Sequence, residues 1–174
     1  SKDNVKYIFK NGSTIDILAA RETSRGQRRH CIVVEESILM DGDALNEIII
    51  PTTNIDRLLG DGSKHPEELI NKSQTFITTA GWKNSFPYNK LIDMLINSII
   101  DPDHYMVMGG TFETPVKEGL LDEDFVDKLK LEGTFNDSSF DREYRSVWSG
   151  DAENAYFSSE VFDKHRQLLQ PEYE

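Results

Sequence analysis

A chain of 174 residues with 37% hydrophobic, 10% aromatic and 29% charged side chains has the composition of one globular domain with a single sizeable core. Its 31 acidic against 19 basic side chains, a net charge of -12, exclude a surface that wraps nucleic acid along its whole length and confine any such contact to a local patch. Apolar runs stay short of the roughly 20 residues a membrane helix needs, no apolar leader opens the sequence, and the lone Cys31 cannot form an intramolecular disulfide, so a reducing cytoplasm is the expected setting.

In chain order, Val5 to Ala20 alternates around Asn11-Gly12, a dipeptide suited to the positive dihedrals of a tight turn, and predicts an antiparallel hairpin. The one basic concentration follows, Arg21, Arg25, Arg28, Arg29 and His30, read either as a solvated loop or as a site for anions. Cys31 to Val34 is a short β-branched run expected to be a strand buried on both faces, with Cys31 in the core, and it ends in Glu35-Glu36. Asp43 is expected to cap a short helix that Pro51 stops. Pro66 to Lys72 suggests a helical turn, and Thr75 to Thr79 a second strand ending at Ala80-Gly81.

The spacing of Tyr88, Leu91, Ile92, Leu95, Ile96 and Ile99 predicts a helix packed along one face and closed by Asp101-Pro102. Tyr105 to Met108 before Gly109-Gly110 is expected to be a third buried strand, which makes the order strand, helix, strand, helix, strand. Helices are expected over Asp122 to Lys130, broken at Gly133, and again beyond a cap formed by Ser138 with Asp141, bearing Phe140, Tyr144 and Val147. The carboxylates Asp122, Glu123, Asp124 and Asp127 crowd the start of the first of these, where they complement its dipole. Trp82 and Trp148 are expected to be packing residues, and the four histidines lack the spacing of a zinc site. Residues 1–164 are read as one unit and 165–174 as a linker or frayed end.

An apolar strand that ends in two carboxylates suits nucleotide hydrolysis, where one acid holds magnesium, directly or through water, and the next polarises the attacking water. Glu35 and Glu36 fit those two roles; a solvated loop after a core strand is the plainer alternative.

Taken in order, Gly12-Ser13 in a hairpin, Arg25-Gly26 with further basic residues, Ile32-Val33-Val34-Glu35-Glu36, Thr78-Thr79-Ala80-Gly81, and Phe140, Glu143-Tyr144 and Trp148 before Gly150 resemble the ATPase domain of bacteriophage large terminase subunits. The likeness runs from about Tyr7 to Phe157 and covers the stretch from before Walker B to the end of that domain. It implies an α/β fold with a central, mainly parallel sheet of the P-loop, strand-glutamate type, truncated on its N-terminal side. By the same resemblance Glu36 is catalytic, Glu35 holds the metal, Thr78 and Thr79 form the coupling motif that senses the terminal phosphate, and Arg25, with Arg28 as substitute, acts on a neighbouring subunit's site. Thr79 is then expected beside Glu36 at the carboxyl edge of the sheet. ATP and Mg2+ are the implied cofactors. The implied partners are double-stranded viral DNA, the portal protein and the small terminase subunit, with a homo-oligomeric ring on the portal, no membrane, and the host cytoplasm as location. Two departures stand out: Glu35 occupies a position that is commonly aspartate, and no Gly-x-x-x-x-Gly-Lys-Ser/Thr loop occurs. The expectation is that this loop precedes Val5 in a longer parent chain and that a nuclease domain follows. A helicase-like translocating ATPase and a non-catalytic acidic protein-interaction domain are the alternatives.

Overall fold

The computed structural model describes residues 5–64, 72–150 and 164–165. The chain divides into two compact units, Ser1–Ile77 and Thr78–Glu174, and the described residues are mixed α and β, forming two small sheets of two strands each. Among the described residues no helix is long and apolar enough to cross a membrane. The helical turn expected at Pro66 to Lys72 lies almost wholly outside the described residues, as does the expected linker beyond His165.

In the first unit the expected hairpin is present: β1 (Lys6–Ile8) pairs antiparallel with β2 (Thr14–Asp16), Tyr7 opposite Ile15. Gly12 turns the chain at φ +82°, a conformation that costs a residue without a side chain nothing. Beyond the basic loop, β3 (Ile32–Val34) pairs in parallel with β4 (Gln74–Phe76), Val33 opposite Thr75. The run was expected to be buried on both faces, but only Ile32 and Val34 are; Val33 is 66% exposed and Cys31 is exposed as well. One side of this pair is therefore covered and the other open.

The chain between the two strands buries Leu45, Ile48 and Ile49. Asp41, not Asp43, caps the helix, accepting the Ala44 amide at 2.9 Å. The helix does not stop at Pro51 but changes pitch, from α1 (Gly42–Ala44) through a π-helical turn (Leu45–Ile49) to a 3-10 turn (Ile50–Thr53) in which Pro51 takes one of the first two positions. Proline is tolerated there because a helix's first amides have no partner within it. Buried Thr52 and Thr53 satisfy their hydroxyls on the carbonyls of Ile49 and Ile50, at 2.7 and 2.8 Å.

Asp56 receives Lys64 and, at 3.0 Å, Lys72. The two ammonium groups, Lys64 foremost, lower its pKa from 3.8 to about 2. Since folding depresses this carboxyl, the stability it contributes is complete above pH 3.8 and is lost as pH falls through about 2. In an NMR titration the Asp56 carboxyl should have its midpoint near 2, and Lys64→Gln should move it back up; an unmoved midpoint would dismiss the ion pair as its cause.

The second unit is helical: α2 (Phe86–Ile100), α3 (Glu113–Lys117), α4 (Glu123–Lys130) and α5 (Asp137–Arg145). α2 covers the expected span and ends at Asp101. Pro87 is buried at its start, but its apolar stripe is covered only in part, since Leu95, Ile96 and Ile99 are exposed. α4 begins as read, with the Asp122 carboxylate accepting the Asp124 amide at 3.0 Å. α5 is capped by Asn136 rather than by Ser138 with Asp141. The expected strand at Tyr105 to Met108 does not form, and Met108 is 81% exposed; an apolar run becomes a strand only where another offers it backbone partners.

Val126 and Phe140 are buried. Phe140 meets Phe112 and Phe135 at 5.5 Å and stacks on Tyr144 at 4.9 Å, with the Lys130 ammonium 5.5 Å from its ring. Both tryptophans pack, Trp82 beneath the Arg142 guanidinium at 4.2 Å and Trp148 against Tyr88 at 5.2 Å.

Candidate functional site

The parallel pair fixes where the two glutamates stand. Beyond Val34, the Ile77 amide donates to the Val34 carbonyl at 2.9 Å and the Ser37 amide donates to the Ile77 carbonyl at 3.1 Å, so the ladder closes around Glu35 and Glu36. Both side chains are exposed at the carboxyl end of β3, the end at which parallel strands of open α/β sheets present their ligand sites. Glu36 has φ +49° and ψ +47°, the left-handed region, and leads into a 3-10 turn (Ser37–Leu39) with its carbonyl accepting the Leu39 amide at 2.9 Å. A side chain with a Cβ costs roughly 1–2 kcal/mol in this conformation, which Lys72 and Ser146 also adopt.

Glu35 brings one hard oxygen donor suited to Mg2+, an ion that completes an octahedron with phosphate oxygens and water. Among the described residues no three His, Cys, Asp or Glu side chains are gathered to hold a metal by themselves.

Thr78 and Thr79 follow directly on Ile77, the last residue of the ladder, and open the second unit; Thr78 is exposed and Thr79 half-buried. Glu36 closes the corresponding strand in the first unit, so the two expected partners fall in different units.

The two arginines differ in what occupies them. Arg25 donates from Nε to Glu22 at 2.7 Å and from Nη2 at 2.9 Å, a bidentate fork, and its Nη1 donates to the Glu47 carbonyl at 3.3 Å. The fork holds the Glu22 carboxyl below the ordinary carboxylate range and raises Arg25 further still, through the same hydrogen bond. Arg28 is exposed, and its guanidinium donates to the neighbouring Gln27 carbonyl at 3.0 Å. Arg29, which the sequence offered only as part of the basic run, clamps Asp16 of β2, its Nε 2.7 Å from Oδ1. Its carboxylate partner lies 13 positions away, beyond the reach of local pattern.

The chain was compared with known protein families, with curated proteins and with solved structures, and none of the three comparisons gives a match.

Proposed function

We propose that this chain is the Walker B to coupling-motif part of a nucleic-acid-translocating ATPase resembling the large terminase subunits, acting in a longer parent that packages double-stranded viral DNA. The observation that carries the reading is Glu36: an exposed carboxylate held in a left-handed turn at the carboxyl end of a parallel strand pair. An exposed carboxylate at the end of a parallel strand suits a residue that must orient water. Glu35, one residue nearer the strand, is assigned to magnesium, and Thr78 and Thr79 to the terminal phosphate of ATP.

The arginine that acts on a neighbouring subunit is assigned to Arg28 in preference to Arg25. Arg25 would first have to surrender its fork to Glu22 and its bond to the Glu47 carbonyl, whereas Arg28 gives up one bond to a backbone carbonyl. A planar guanidinium suits phosphate oxygens in a way a lysine does not.

Hydrolysis is the test. The 174-residue chain alone carries no phosphate loop and is expected to show no turnover above a buffer blank. The parent, extended upstream through a phosphate loop, is expected to release phosphate from ATP in a magnesium-dependent reaction. Turnover by the isolated chain would refute the division of labour, and an upstream sequence with no phosphate loop would refute the ATPase itself.

A further inference from the structure

Arg28 is the exposed middle of a run, Gln27-Arg28-Arg29, whose two flanking residues are both tied down. The run leaves a turn at Gly26, φ +84°, and its last amide, that of Arg29, donates to the Thr52 carbonyl at 2.8 Å. Thr52 is 1% exposed, so this end of the run is fastened to the core of the first unit.

The Arg29 side chain completes the hold. It forms a fork with Asp16 of β2, Nε donating to Oδ1 at 2.7 Å and Nη2 to Oδ2, and both side chains are largely covered. Its other bonds do not go to the strand: Nη2 also donates to the Gln27 side-chain oxygen at 2.8 Å, and Nη1 donates to the Arg28 carbonyl. A carboxylate fork alone would fasten the loop to the hairpin; the two further bonds reach the residue before Arg28 and the backbone of Arg28 itself. A lysine, with three donors on one point, could not span these acceptors. Arg28 is thus anchored by its backbone, while its own guanidinium donates to the adjacent Gln27 carbonyl at 3.0 Å, a partner in the same anchored run. A fixed base under a releasable head is what a group reaching into another site requires, since a misplacement of about 1 Å can cost on the order of a hundred-fold in rate.

We propose that Asp16 and Arg29 form a positioning latch for Arg28, fixing its backbone at the surface so that its guanidinium can enter a neighbouring subunit's nucleotide site and meet phosphate oxygens. The inference rests on the hydrolysis reading for what Arg28 touches, and on the bonds of the first unit for the latch.

Two measurements test it. In the 174-residue chain, Asp16→Asn should quicken hydrogen exchange of the Arg29 amide, read by NMR, about 10- to 100-fold. The Leu45 amide, which donates to the Asp41 carbonyl at 3.0 Å in the same unit, should keep its rate. An Arg29 amide that moves no more than that of Leu45 would reduce the pair to general packing and overturn the proposal. In the longer parent, Arg29→Lys keeps the charge and loses the fork, and should lower kcat for ATP about a hundred-fold with KM little changed. Arg28→Ala should lower it about a thousand-fold or more. Because the latch acts through Arg28, adding Arg29→Lys to Arg28→Ala should cost nothing further. Wild-type turnover in Arg29→Lys, or a double variant slower than Arg28→Ala by another hundred-fold, would overturn the latch while the hydrolysis reading stood. A parent that turns over no ATP at all would overturn both.

Discussion

Glu36→Gln in the longer parent should leave ATP binding intact and cut hydrolysis about a hundred- to ten-thousand-fold, the range that a positioned catalytic acid or base contributes. Glutamine keeps the volume and the hydrogen bonding of the side chain and removes only the charge that polarises water. Glu35→Gln should differ, weakening magnesium-dependent nucleotide binding as well as turnover, because its carboxylate is assigned to the metal. Glu36→Gly separates chemistry from backbone. At φ +49° glycine escapes the left-handed cost, so it should raise stability by about 1 kcal/mol in urea while abolishing hydrolysis. Phosphate release at the wild-type rate from Glu36→Gln would remove Glu36 from the mechanism, whatever its backbone conformation.

The largest expected effect on stability is at Leu45, which is 1% exposed and is among the largest fully buried side chains. Truncation to alanine removes its buried methyl groups and leaves a cavity, a change that costs about 2–5 kcal/mol in a close-packed interior. Against a total of roughly 5–15 kcal/mol for a typical domain, that would leave the first unit marginal or unfolded. Leu39→Ala is the control: the same chemistry at a side chain 82% exposed should shift stability by no more than about 0.5 kcal/mol. Urea midpoints that coincide for the two variants, at equal slopes, would show that Leu45 is not a core residue.

What could be read in advance depended on whether the deciding partners lay close in sequence. Asn11-Gly12 announced the hairpin and Asp122 the start of α4, because a turn dihedral and a helix cap are settled within four residues. The spacing from Tyr88 to Ile99 announced α2, but periodicity tells which face is apolar and not what covers it, and half of that stripe stands in solvent. Tyr105 to Met108 failed as a strand for a related reason: composition shows that a run suits a sheet, not that a sheet has room for it. At the candidate site Glu35 and Glu36 fell where the sequence put them, at the end of β3. The pairing of Arg25 with Glu22 was within local reach at three residues' spacing. Its bond to the Glu47 carbonyl, 22 positions on, was not, and together with the fork to Glu22 it shifts the weight toward Arg28.

The parallel pair has a kinetic side. Lys6 and Asp16, which open the hairpin register, are 10 positions apart, whereas Ile32 and Gln74 are 42 apart. Closing a flexible loop of that greater length costs on the order of 3 kcal/mol of chain entropy, roughly 1 more than the hairpin, before any contact compensates. Distant pairings of this kind are made late and slowly. The turn at Glu36 depends on one of them, since the Ser37 amide finds its acceptor on Ile77. On chain entropy alone, the hairpin and the helical turns around Leu45 are expected to assemble first, and the glutamate end of the sheet to acquire its shape when the far strand arrives.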